Sequence, residues 1–262
     1  MLSKDLEIGF IGIGKMGKAL AVALATHGYR VTACYTRSST AASELKQLLP
    51  RCVITSTSQE VVDQTNLVFI TIPDDLIQNY VQDLVVNENQ GIVHCSGSLP
   101  RSILNNANSK TRFTGMFHPY QTLAGIDSSA AAVGRLSGIT FAIDAEGWLL
   151  DQLISFGEAL DSRTIHVPAS DLGIYHSSAV LVCGFLATLL HCAISLWEEM
   201  GHNKDDAMKA ILPLATSTLS NIGNLGVLPS MTGPIYRGDI ATIENHISSL
   251  ISRTPQIVDV YT

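Results

Sequence analysis

Glu7-Ile8-Gly9-Phe10-Ile11-Gly12-Ile13-Gly14-Lys15-Met16-Gly17-Lys18-Ala19-Leu20 is the stretch on which the rest of this sequence turns. Apolar Ile8, Phe10 and Ile11 read as a short buried strand, and the spacing Gly12-x-Gly14-x-x-Gly17 follows without a break. An Ala/Leu-rich helical pattern then runs to Thr26 and stops at His27-Gly28. In a strand–turn–helix of this kind the first glycine allows the tight turn, the second lets backbone approach a pyrophosphate, and the third lets helix and strand pack closely. A diphosphate would sit on the free N–H groups and positive dipole end of the helix. The expected dinucleotide contacts here are Gly12, Ile13, Gly14, Lys15, Met16 and Gly17.

With 262 residues, 46% apolar and 15% charged, the chain reads as a compact folded protein rather than a disordered one. A net charge of −7 without a Lys/Arg run argues against a nucleic-acid partner. The five cysteines, Cys34, Cys52, Cys95, Cys183 and Cys192, form no CxxC pair and lie among apolar neighbours. They read as reduced core thiols of a cytoplasmic protein, and no metal site is expected. The stretch before the first strand does not have the form of a secretion leader.

Strand-like and helix-like patterns alternate through the first two thirds. Strands are predicted near Glu7–Ile11, Arg30–Tyr35, Cys52–Thr55, Leu67–Ile72, Gly91–Cys95, Phe113–Phe117, Thr140–Ile143 and Thr164–Val167, with helices at Ala41–Leu49, Asp75–Val85 and Gly147–Ala159 between them. Alternation of this kind predicts a mostly parallel sheet covered by helices on both faces. The Ser/Ala/Gly-rich run Asp127–Leu136 reads as a surface excursion and possible lid.

After Val167-Pro168-Ala169 the strands cease. A helix of about thirty residues opens at Ser170/Asp171 and closes at Gly201, followed by helices at Asp205–Asn224 and Asp239–Ser252. The expected fold is an α/β Rossmann domain, residues 1–168, followed by an all-α domain, residues 169–262. From Leu172 to Trp197 there is no Asp, Glu, Lys or Arg, which satisfies the length rule for a membrane span. Ser177, Ser178, Thr188, His191 and Ser195 scatter polarity around that helix, so no membrane is expected. Thirty helical residues extend about 45 Å, longer than a hundred-residue domain is wide. The reading is therefore a homodimer burying the two long helices; the alternative is a helix wrapped by its own chain.

The second strand ends Cys34-Tyr35-Thr36-Arg37-Ser38-Ser39, without the carboxylate that holds the ribose hydroxyls of NAD. Arg37, with Thr36 and Ser38, suits the 2′-phosphate of NADP instead; the alternative is a solvated loop cation. Ile72-Pro73-Asp74 at the end of the fourth strand should pass beside the diphosphate or the inner ribose, or merely cap a helix. Ser96, in the turn Ser96-Gly97-Ser98, could bond a substrate or serve merely as a helix cap. His118, in Phe117-His118-Pro119, is the strongest acid–base candidate because an imidazole titrates near neutrality; the alternative is a structural hydrogen-bonding post fixed before a proline. His94, inside a strand, reads as core. His176 shares a helical face with Val180 and Gly184 at i, i+4, i+8. Arg237, in Thr232-Gly233-Pro234-Ile235-Tyr236-Arg237-Gly238-Asp239, could hold an anion or fix its own loop.

These segments, with Tyr175-His176-Ser177-Ser178-Ala179, resemble the NADP oxidoreductases that pair a Rossmann-like domain with a C-terminal domain of unknown function. That group is related to pyrroline-5-carboxylate reductase, ketopantoate reductase and 6-phosphogluconate dehydrogenase. The resemblance covers nearly the whole chain and implies a dimeric, NADP-binding, two-domain protein with a helical half like that of 6-phosphogluconate dehydrogenase and a cleft between its domains. The expected activity is NADP(H)-dependent oxidation or reduction of a small anionic carbonyl, imine or alcohol, with Ser96, His118 and His176 at the substrate. The family tends to carry Asn about eight residues after the histidine of Tyr-His, where this chain has Gly184. That loss of an amide motivates a second expectation, a non-catalytic dinucleotide-binding sensor or scaffold.

Overall fold

The computed structural model describes residues 4–105, 110–123 and 128–262. Its contacts divide the chain into two compact units, Met1–Ala179 and Val180–Thr262. Among the described residues the first unit contains an eight-stranded sheet of β1 (Glu7–Ile11), β2 (Arg30–Tyr35), β3 (Val53–Ile54), β4 (Leu67–Ile70), β5 (Gly91–His94), β6 (Phe113–Pro119), β7 (Thr140–Asp144) and β8 (Arg163–His166). Their order is β3-β2-β1-β4-β5-β6-β7-β8, parallel throughout except where β6 meets β7. Eight strands were expected and each is present, within a few residues of its predicted bounds.

Strand order reverses at β1: the chain goes outward through β2 and β3, then returns to place β4 on the other side of β1. Crossovers that diverge in this way leave a crevice at the carboxyl ends of β1 and β4.

Helices α1 (Lys15–Thr26), α2 (Ser39–Leu48), α3 (Ser58–Gln64), α4 (Asp74–Val81), α5 (Ser129–Leu136) and α6 (Trp148–Ala159) connect and cover the strands. Alternation along the strands sorts the core. Ile8, Phe10, Phe69, Phe117 and Phe141 join Leu20, Leu24 and Phe156 on one face, whereas Ile11, Val68, Ile70 and Ile92 meet Val61, Ile77 and Val81 on the other. Phe10 stacks on Phe69 with centroids 5.0 Å apart, and Phe117 on Phe141 at 4.2 Å. Full burial of such a side chain contributes about 1.5–3 kcal/mol, so this double-sided core holds the sheet rigid behind its loops.

Two helices depart from the sequence reading. Residues 129–136 are not a lid: they form α5, capped by Ser128, whose Oγ accepts from the Ala131 N–H at 3.1 Å. α5 packs closely on α1 and buries Ala132 and Leu136 completely. Small residues looked like loop composition, but they are what lets two helices approach closely. Asp127, the predicted start of the excursion, lies outside the described residues. α3 was not anticipated, although Thr57-x-x-Glu60 is a capping box: Thr57 Oγ1 accepts from the Glu60 N–H and Glu60 accepts from the Ser56 N–H.

The predicted long helix begins with a 3₁₀ turn at Ala169–Asp171 and continues as α7 (Leu172–Val180), a π-turn at Leu181–Phe185 and α8 (Leu186–Glu199). The π-turn widens one turn of the helix, yet a Cβ at Gly184 would still lie 3.7 Å from Val180 Cγ1, so Gly184 stands beside Val180 as the spacing predicts. The unit boundary falls after Ala179, inside this helix.

In the second unit α9 (Lys204–Leu225), α10 (Gly233–Arg237), α11 (Ile240–Arg253) and α12 (Val258–Tyr261) follow. α8 and α9 pack through Ile194, Ala207 and Ile211, with Trp197 against them. Little else is covered: within the most apolar part of Ala169–Glu199, which is long and apolar enough to cross a membrane, only 6% is buried. Leu181, Val182, Phe185 and Leu189 are exposed. Cys183 is exposed too, contrary to its reading as a core thiol, while Cys34 and Cys52 are buried with their sulfurs 3.2 Å apart.

Candidate functional site

At the reversal point the Gly12 N–H donates to the Tyr35 carbonyl at 2.8 Å, tying the end of β1 to that of β2. Gly12 has φ +96°, and a Cβ there would lie 2.8 Å from the Thr71 carbonyl oxygen, so both conformation and space require glycine. Gly17 packs α1 against this turn; a Cβ on it would come within 2.5 Å of Thr71 Oγ1 and closer still to the Gly12 carbonyl. Gly14, the N-cap of α1, is different, because a Cβ there would meet nothing within 4 Å.

α1 starts without a capping side chain and without an acidic residue in its first turn, although α2 and α3 are capped by Ser38 and Thr57. Its first N–H groups and positive dipole end are therefore left for a ligand. Open space beside Gly14 and uncapped amides are what a linked diphosphate requires, so these residues fit a dinucleotide.

They border a cavity of about 540 Å³. Of the expected cofactor residues, Gly12, Ile13, Gly14, Thr36, Arg37, Ser38, Ile72 and Pro73 line it. Lys15, Met16 and Gly17 instead form the first turn of α1, with Met16 packed against the core. Tyr35, Thr71, Leu76, Asn79 and Tyr80 line the cavity as well. Sequence reading missed them, although Leu76, Asn79 and Tyr80 stand at i, i+3, i+4 on α4 and could have been recognised as one face. Arg37 is exposed and makes no ion pair among the described residues. Its guanidinium is thus available to an anion, with the Tyr80 hydroxyl close enough to feel its charge.

A second cluster lies at the ends of β5 and β6. Ser96 Oγ donates to Asp74 Oδ2 at 2.5 Å and Ser98 Oγ donates to the same oxygen at 3.1 Å. Asp74 is thus tied to the Ser96 turn and is not among the cavity-lining residues, and the Ser96 proton is committed to it. Behind them His94 is fully buried, its Nδ1 accepting from the Ser96 N–H at 3.2 Å. Burial pulls its pKa down to about 4, with Pro100 and the Asp74 and Asp144 carboxylates pulling weakly the other way.

The His118 ring lies flat against Gly97, where a Cβ would come within 2.7 Å of it. His118 Nδ1 is 2.7 Å from the Tyr175 hydroxyl, and the two rings meet edge to face with centroids 5.5 Å apart. The His176 ring is 6.2 Å from that of His118, which itself packs on Gly97, the residue after Ser96. Burial, reinforced by His176, lowers the His118 pKa to about 4, which Asp74 offsets only in part. The expected titration near neutrality is therefore corrected: His118 is neutral at pH 7. Burial likewise pushes the Tyr175 hydroxyl up, so it keeps its proton. Neither Tyr175 nor Gly97 was singled out from the sequence as a partner of His118.

This strand order, with a glycine-lined crossover at its reversal point, defines a Rossmann-like nucleotide-binding fold. Residues 7–96 match the family described as NADP oxidoreductase, coenzyme F420-dependent, and residues 139–262 match the domain of unknown function DUF2520. The chain joins these two family domains, as its motifs led us to expect, and is an oxidoreductase in kind. A Bacteroides fragilis protein provisionally named an NADP oxidoreductase is similar in structure, with 26% identity, a TM-score of 0.79 and coverage of 98% of this chain and 95% of that one. A Thermotoga maritima protein matches at 20% identity and TM-score 0.74, over 97% and 93% of the two chains. Plasmodium falciparum pyrroline carboxylate reductase, solved with NADP bound, matches at 12% and 0.66, over 98% and 96%. No curated protein matches the sequence.

Proposed function

We propose that the chain is a cytoplasmic, homodimeric NADP(H)-dependent oxidoreductase acting on a small, anionic carbonyl, imine or alcohol. The observation that carries the reading is the uncapped start of α1 opening on a cavity that Arg37 also lines. In this reading the amides from Gly12 to Gly17 hold the diphosphate, and Arg37, Thr36 and Ser38 hold the 2′-phosphate. Ile72 and Pro73 wall the cavity from the β4 side. A bound nicotinamide dinucleotide supplies two-electron hydride chemistry. Ser96, held by Asp74, and His118 and His176, brought together beside it, face the substrate. The neutral His118 serves it as a hydrogen-bond donor, not as an imidazolium acid.

The dimer reading rests on exposed apolar side chains of the second unit, among them Leu181, Phe185, Leu214 and Leu228. Large apolar side chains left exposed in a folded unit favour an interface.

The second reading is a dinucleotide-binding sensor without turnover. Gly184 in place of an amide, together with the committed Ser96 proton, favours it. Single-turnover oxidation of bound NADPH across a panel of oxoacids and cyclic imines separates the two. Acceleration by one compound is expected; tight NADPH binding with no acceleration by any would select the sensor.

A further inference from the structure

The contact between Tyr175 and His118 does more than fill space. Ser178 Oγ donates to the Tyr175 carbonyl at 2.6 Å, so in the 2.9 Å contact between Tyr120 and Ser178 it is the Tyr120 hydroxyl that donates. The Tyr120 ring also packs on that of Tyr175, with centroids 5.4 Å apart. Tyr175 is therefore clamped from both its backbone and its ring. Its hydroxyl has one polar neighbour among the described contacts, His118 Nδ1 at 2.7 Å. A tyrosine hydroxyl has a single proton, and a neutral imidazole has one donor and one acceptor nitrogen. If Nδ1 carried the imidazole proton, no protein atom among the described contacts would accept the Tyr175 proton. Donation from Tyr175 to Nδ1 satisfies both groups, and it leaves the proton of His118 on Nε2.

We infer that Tyr175 is a positioning residue that fixes His118 in its Nε2–H tautomer and so makes Nε2 the atom presented to the substrate. Gly97 takes part by leaving room for the ring to lie flat on the β5–β6 side. Among the described residues, the groups around His118 are Asp74 at the start of α4, His94 at the end of β5, Tyr120 after β6, and Tyr175 and His176 on α7. Asp74 is the one carboxylate among them, and its Oδ2 is engaged by Ser96 and Ser98. Tyr175 is thus the group placed to decide which nitrogen is protonated. That Nε2 faces a hydride acceptor rests on the function proposed above; the tautomer itself does not.

The test is two-bond proton–nitrogen NMR on full-length, uniformly ¹⁵N-labelled protein at pH 7, with His118 assigned from the signals missing in His118→Asn. The expected spectrum has an unprotonated Nδ1 and a protonated Nε2. Tyr175→Phe, which removes only the hydroxyl, should give mixed tautomers and raise the His118 pKa by roughly half a unit to one unit, the equivalent of one hydrogen bond to the neutral form. Tyr120→Phe, which keeps the Tyr175 hydroxyl, should leave the Nε2–H form dominant. A protonated Nδ1 in the parent protein, or an unchanged spectrum in Tyr175→Phe, would overturn the inference. NADPH titration of the same samples keeps the two ideas apart. Loss of cofactor binding with the Nε2–H form intact would remove the proposed function and leave the tautomer standing.

Discussion

Replacing Arg37 by Ala probes the cofactor site without disturbing the fold. The side chain is exposed, lines the cavity beside Gly12 and Gly14, and has no carboxylate partner among the described residues. Removing it leaves no buried charge behind, so unfolding free energy should move by no more than about 0.5 kcal/mol. A hydrogen bond from guanidinium to phosphate contributes about 1.5–3 kcal/mol, equivalent to roughly ten- to a hundredfold in Kd. Exposure to solvent and salt places the expected loss toward the lower end of that range. Calorimetric titration should show NADPH binding weakened about tenfold or more in Arg37→Ala, with NADH changed by less than about twofold on the same reasoning. Arg37→Lys, which keeps the charge and loses the planar fork, should fall between the two. The loss should shrink at high salt. An NADPH-to-NADH affinity ratio that is the same in Arg37→Ala as in the parent would refute the assignment of the 2′-phosphate to this side chain.

The two inner glycines should separate binding from folding. Gly14→Ala adds a methyl group to open space and should keep the melting temperature while weakening NADPH, whereas Gly17→Ala forces the α1 turn apart at Thr71 and should cost about 1–3 kcal/mol of stability. Equal melting temperatures for the pair would contradict the packing described. Stability should also depend on acid in a defined way. His94 and His118 have folded pKa values near 4 against an ordinary 6.5, so the unfolded chain binds more protons between those values. Their stabilisation is complete above about pH 6.5 and is lost as pH falls toward 4, by on the order of 2–3 kcal/mol for the fully buried His94. Urea unfolding at pH 7, 5.5 and 4.5 should show this slope, and a flat profile in the parent, or the same slope in His94→Gln, would rule it out. Finally, Phe185→Glu with Leu181→Glu should convert the dimer to monomer in sedimentation while leaving the helical circular dichroism intact; a stable 28.1 kDa species in the parent protein would remove the dimer altogether.

Much of this molecule is written in local spacing. Alternating apolar residues in Glu7–Ile11 and the later strands specify period-two burial, and Gly12-x-Gly14-x-x-Gly17 specifies a turn whose conformation and crowding admit little else. The cofactor half of the site was legible for the same reason, since Gly12, Gly14 and Arg37 lie within one β–α–β unit. α5 was not, because its Ser, Ala and Gly residues become helical by docking on α1, a contact no window of sequence contains. Nor was the chemistry of the second cluster. Asp74 and Ser96 are 22 residues apart and His118 and Tyr175 57 apart, so only the closed sheet and the start of α7 bring them within hydrogen-bonding distance. The identity of His118 was plain from the sequence, but its charge at neutral pH was not. Protonation answers to burial and to neighbouring charge, and both are properties of the folded chain.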